Sequence, residues 1–60
     1  MGMRVRHKFG GITYQVQPFC DCIGLYAICE DEFGQYTCTV PDYIYTNVAN
    51  MLADDFMEVA

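Results

Sequence analysis

Four cysteines and one histidine are the side chains of this 60-residue chain best suited to chemistry. Cys20, Cys22, Cys29 and Cys38 follow the pattern C-x-C-x6-C-x8-C. Structural zinc sites usually pair two knuckles whose ligands are about two to four residues apart, because that spacing turns two thiolates towards one ion. One C-x-C and two isolated cysteines fit it poorly. A zinc-stabilised mini-domain is therefore a secondary reading, and no metal or cofactor is assigned. A cysteine–histidine nucleophile needs His7 beside a thiol, whereas the strand pattern below turns His7 towards a core face, where it packs. The chain contains no serine, which excludes a serine nucleophile. It also lacks a phosphate loop, a Rossmann glycine pattern and a two-histidine metal motif. Enclosing a ligand cavity of roughly 300–1,000 Å3 is hard in so short a chain. These features point away from an enzyme, and no catalytic residue is assigned.

The charges are the second feature with functional meaning. The net charge is −5. All the basic residues (Arg4, Arg6 and Lys8) precede all the acids, which run from Asp21 to Glu58. Such a surface is repelled by nucleic acid and by anionic membranes, so neither is an expected direct partner. Two acidic groups stand out: Glu30, Asp31 and Glu32, and Asp54, Asp55 and Glu58. Carboxylates grouped in this way can imitate a phosphate backbone and occupy the basic groove of a nucleic-acid-binding protein. Their plainer role is solubility. The basic stripe can touch phosphates, but shielding an edge strand from unwanted pairing explains it better.

The elements that must position these groups follow from periodicity. Residues 4–17 alternate apolar and polar about Gly10-Gly11, which suits a two-residue hairpin turn because glycine accepts positive φ. That turn pairs Phe9 with Ile12, His7 with Tyr14, and Val5 with Val16. Residues 18–24 read as a connection carrying Cys20 and Cys22, with Phe19 and Ile23 as its anchors into the core. Residues 25–40 read as a second hairpin, with a type I turn at residues 31–34 closed by a glycine bulge. This register pairs Glu30 with Tyr36, Ile28 with Cys38, and Tyr26 with Val40. Tyr26, Ile28, Tyr36, Cys38 and Val40 then face the core, while Leu25, Ala27, Cys29, Thr37 and Thr39 form a weakly polar, uncovered strip. Cys29 and Cys38 fall on opposite faces, which argues against a bridge between them. Asp42 is placed to cap a C-terminal amphipathic helix of four to five turns. Its apolar side carries Ile44 or Tyr45, Val48, Met51, Leu52, Phe56 and Val59. Asp54, Asp55 and Glu58 crowd its C-terminal end, against the helix dipole.

The expected fold is one α+β domain spanning residues 1–60. Two β-hairpins form a four-stranded, mainly antiparallel sheet with the C-terminal helix packed on it; the alternative is a small SH3-like open barrel plus helix. The sequence shows neither a secretory signal nor an apolar stretch long enough to cross a membrane. The expected compartment is the cytoplasm, where the cysteines stay as thiols. The expected function is that of a small acidic protein-binding module, a phage-type inhibitor or adaptor of a larger host protein that acts by occupying a surface. Its expected contact residues are Glu30, Asp31, Glu32, Asp54, Asp55, Glu58, Leu25, Ala27, Thr37 and Thr39. A self-associating structural protein, such as a homodimer, is the other alternative.

Overall fold

The computed structural model describes residues 2–60. Strands β1 (Met3–His7), β2 (Thr13–Phe19), β3 (Cys22–Asp31) and β4 (Gly34–Thr37) form an antiparallel meander. A short strand β5 (Tyr43–Tyr45), a helix α1 (Val48–Ala53) and a final strand β6 (Phe56–Val59) follow. The order across the sheet is β4-β3-β2-β1-β6, and β5 pairs with β3. The architecture is therefore α+β, as expected, with six strands in place of four and a shorter helix.

The alternation in β1 and β2 produces the expected faces in a different register. Val5 lies opposite Tyr14, and Met3 opposite Val16. This is two places from the expected pairing, and a slip of two keeps every side chain on its face. Val5 and Tyr14 are buried, while Arg4 projects from the outer side. Gly10-Gly11 makes no two-residue turn, since neither glycine takes positive φ. Instead, the end of β1 pairs with β6, His7 facing Phe56, and the Lys8 amide donates to the Asp55 carbonyl at 2.8 Å. The chain then leaves the sheet in a loop over residues 8–12. Because β1 lies between β2 and β6, Arg4 and Arg6 do not guard an edge.

The expected connection at residues 18–24 is instead the central hairpin. Phe19 pairs with Cys22 across a turn at Cys20 and Asp21, with Cys20 in the left-handed region at φ 53°. Gly24 lies within β3 because two neighbours close over its backbone. A Cβ there would sit 3.0 Å from both Tyr26 Cε1 and Pro41 Cβ. Tyr26 thus covers the glycine on the outer face of the sheet, where it is largely buried.

At the second hairpin the slip is one residue, which reverses the face. Asp31 pairs with Gly34, Glu30 with Gln35, Cys29 with Tyr36, and Ile28 with Thr37. The turn holds only Glu32 and Phe33. It is set by Asp31 Oδ1, which accepts from the Phe33 amide at 2.8 Å, and by Gly34 at φ 120°. The facing of β3 is decided by β2, since Val16 meets Leu25 and Tyr14 meets Ala27. Leu25 and Ala27 therefore belong to the core, not to an exposed strip. Tyr36 and Val40, expected inside, are exposed.

The long helix expected over residues 42–59 resolves into strand, helix and strand. Tyr43, Ile44, Tyr45 and Thr46 are aromatic or β-branched, types favoured in strands, and the first three pair with β3. Asn47, not Asp42, caps the helix: its Oδ1 accepts from the Asn50 amide at 2.8 Å. The helix has only six residues and buries Met51. Asp54 ends it, and Phe56 enters the core from β6.

Val5, Tyr14, Leu25, Ala27, Met51 and Phe56 form the buried cluster. Fully burying a side chain such as Leu25 or Val5 contributes about 1.5–3 kcal/mol. The sheet curls around this cluster. β5 and β6 are separated by three strands in the sheet order, yet the Tyr43 and Phe56 ring centroids lie 4.9 Å apart. Tyr14 and Tyr45 each approach Phe56 edge-on at 5.9 Å. Helix α1 packs against both β5 and β6 and so covers the gap between them. Among the described residues, no helix is long and apolar enough to cross a membrane.

Candidate interaction surface

Antiparallel pairing brings three connections to one end of the sheet: the loop over residues 8–12, the turn at Glu32 and Phe33, and the α1–β6 junction at Asp54 and Asp55. Each is held by its own polar contacts. In the loop, the Gly10 amide donates to the His7 carbonyl at 3.1 Å and the Phe9 amide to His7 Nδ1 at 3.2 Å. The His7 ring packs edge-on against Phe56 at 5.3 Å. At the junction, the Asp54 amide donates to the Met51 carbonyl, and the Tyr45 hydroxyl donates to Asp54 Oδ2 at 2.5 Å. Burial first, then this bond and the neighbouring negative charges, push the Tyr45 phenol up to about 12.

Both acidic groups read from the sequence therefore contribute to the same end. Glu30, Asp31 and Glu32 are exposed on the β3–β4 hairpin, and Asp54 and Asp55 are exposed at the junction. Glu58 does not join them; it is exposed further along β6, opposite Val5. Among the described residues, Lys8 is the only lysine or arginine in these connections. The same end displays large apolar side chains. Phe9 is 84% exposed, Ile12 51% and Phe33 90%. Alternation alone pairs Phe9 with Ile12 across a hairpin turn and marks Phe33 only as a turn residue. The signal for Phe33 was its position inside a two-residue turn, from which a side chain must project.

The remaining expected contact residues are scattered. Thr37 and Thr39 are exposed, but Leu25 and Ala27 are buried beneath the curl and cannot reach a partner from the folded chain. The outer face carries an open cleft of about 290 Å3 lined by Arg4, Gln15, Ile28, Gln35, Tyr36 and Thr37. Its lining holds neither a nucleophile–base pair nor a group of carboxylates.

The cysteines divide into two pairs. Cys20 lies in the tight β2–β3 turn and is exposed, and Cys22 opens β3 just after it and is half-buried. Cys29 and Cys38 are half-buried on the core face, with their sulfurs 3.6 Å apart. The expectation that they lie on opposite faces is thus overturned by the one-residue slip. Among the described residues, no three His, Cys, Asp or Glu side chains gather as metal ligands. No protein-family model, curated protein or solved structure matches this chain.

Proposed function

We propose that this chain is a small acidic protein-binding module whose contact surface is the loop end of its sheet. The observation that carries the reading is Phe33, 90% exposed on a turn pinned by Asp31 and flanked by the carboxylates of Glu30 and Glu32. Aromatic side chains that fill pockets dominate binding energy at interfaces, and surrounding charge steers encounter and selects partners. Phe9 and Ile12 extend the apolar area, and Asp54 and Asp55 extend the acidic rim. The complementary partner is a protein with a basic surface broken by an apolar pocket, such as the groove of a nucleic-acid-binding protein. The module acts by occupancy, without catalysis, as an inhibitor or adaptor of phage type working in the cytoplasm. The strand order β6-β1-β2-β3 and the short helix before the last strand support a small, SH3-like open barrel as the finer description of the scaffold.

Affinity capture with the tagged chain at low and moderate salt tests this reading. A protein partner is expected with the wild type, to be lost with Phe33→Ala and with Asp31→Lys plus Glu32→Lys, and retained with Thr39→Ala. Capture that is empty, or identical across all the variants, would refute the proposed surface.

A further inference from the structure

We propose that Cys29 and Cys38 form a reversible thiol–disulfide couple that responds to small-molecule disulfides. The inference is independent of the proposed binding surface. It rests on placement: the two sulfurs are 3.6 Å apart on one face, although nine positions separate them in the chain. Cys29 pairs with Tyr36, and the Cys38 amide donates to the Ala27 carbonyl at 2.9 Å, which makes the two cysteines diagonal neighbours across adjacent segments. Diagonal neighbours in a sheet lie about 7–8 Å apart, just beyond the roughly 4.4–6.8 Å between Cα atoms that a disulfide accepts. Closure therefore requires a small approach of the backbones. Cys38 lies one residue beyond the end of β4, where a single backbone bond to Ala27 holds it to β3, so the approach falls on that side. Both residues are half-buried at the margin of the core, within reach of a small reagent.

The exchange balances as follows. The Cys38 thiol is pushed up, first by its hydrogen bond to Cys29 and then by burial, so the first attack is assigned to Cys29. The Cys29 thiolate attacks one sulfur of a small disulfide RSSR; that S–S bond breaks, and one RS⁻ leaves and takes up a proton. Deprotonated Cys38 then attacks the Cys29 sulfur of the mixed disulfide and expels the second RS⁻. The protein loses two electrons and two protons, and RSSR becomes two RSH. The bridge would tie β3 to the segment following β4.

Oxidised glutathione is the probe. The dilute, full-length chain is incubated with it in native buffer and in urea; free thiols are then alkylated and the links mapped by peptide mass spectrometry. In native buffer, the expected result is an intramolecular Cys29–Cys38 link as the main product, a mass loss of two hydrogens, and alkylation confined to Cys20 and Cys22. Dithiothreitol should restore all the thiols, and urea should remove the preference. Cys20→Ser plus Cys22→Ser should leave the native link in place. Four free thiols, persistent glutathione adducts, links through Cys20 or Cys22, or the same preference in urea would each overturn the proposal. The mapping uses the wild-type chain, so it does not depend on whether a Cys29 variant folds.

Discussion

Tyr45 and Asp54 show how one hydrogen bond can join elements that local sequence keeps apart. Tyr45 sits on β5 and Asp54 closes α1, and their contact fastens the strand to the end of the helix. A phenol donating to a carboxylate is a charge-assisted bond, but this one is exposed to water, so its net contribution is about 1 kcal/mol. Tyr45→Phe should lower stability by about that amount at neutral pH. The phenol also links stability to pH. Its folded value of about 12 lies above the reference value of 10.0, so the stabilisation is fully present below pH 10 and is lost as pH rises towards 12. Tyr14 is shifted in the same direction, first by burial and then by the charges of Tyr43 and Asp42. Urea midpoints measured at pH 7, 9 and 11.5 should hold between the first two and fall at the third in the wild type, and fall less steeply in Tyr45→Phe. Equal slopes would mean that Tyr45 is not the linked group.

At the level of elements, a single helix was the simplest reading of residues 42–59, because apolar side chains recur there at helical spacing. Only some of those side chains reach the core, and by another route: Tyr45 from β5, Met51 from α1 and Phe56 from β6, while Ile44, Val48 and Leu52 are exposed. Three separate docking events replace one helical face. Isolated helices shorter than about 12–15 residues are marginal in water, so a six-residue helix depends on its cap and its packing. Asn47→Ala should therefore cost about 1 kcal/mol in urea denaturation, with faster amide exchange at Asn50. An unchanged midpoint would place the stability of α1 entirely in the Met51 contact. The hairpins carry a related lesson. The face assignment in β1 and β2 was legible because alternation there is strict and a slip of two leaves it intact. In β3 it was not, because Leu25, Tyr26, Ala27, Ile28 and Cys29 form an unbroken apolar run. Such a run accepts either facing, and only pairing with β2 chooses between them.

The whole molecule depends on the curl that brings β5 to β6. Phe56 is central to it, meeting His7, Tyr14, Tyr43 and Tyr45 edge-on. Phe56→Ala should cost about 3–5 kcal/mol. A 60-residue chain has about 3–9 kcal/mol in total at the usual value per residue, so this variant should be largely unfolded at room temperature. Phe56→Leu, which keeps most of the volume, should remain folded but with a lower midpoint. Circular dichroism and urea titration distinguish the two. If Phe56→Ala melted as the wild type does, the curled sheet would not be what holds the chain together. The curl also accounts for the candidate surface. The connections at one end of the sheet gather acids from both halves of the chain, although each group is local in sequence.

Composition, alternation and turn residues alone determined a small antiparallel α+β architecture, the outward facing of Arg4 and Arg6 on β1, the absence of a serine nucleophile, and the acidic character of two segments. These properties are local, set by side-chain type and by spacings of a few residues. Tertiary pairing decided the rest. The β2 contact turned Leu25 and Ala27 inward, the two-residue turn at Glu32 and Phe33 brought Cys29 beside Cys38, and the return of β6 to β1 broke the long helix and set Phe9 and Ile12 free. Register is the physical reason: a one-residue slip costs little in local preference but moves every side chain of a strand to its other face, so only neighbouring strands can settle it.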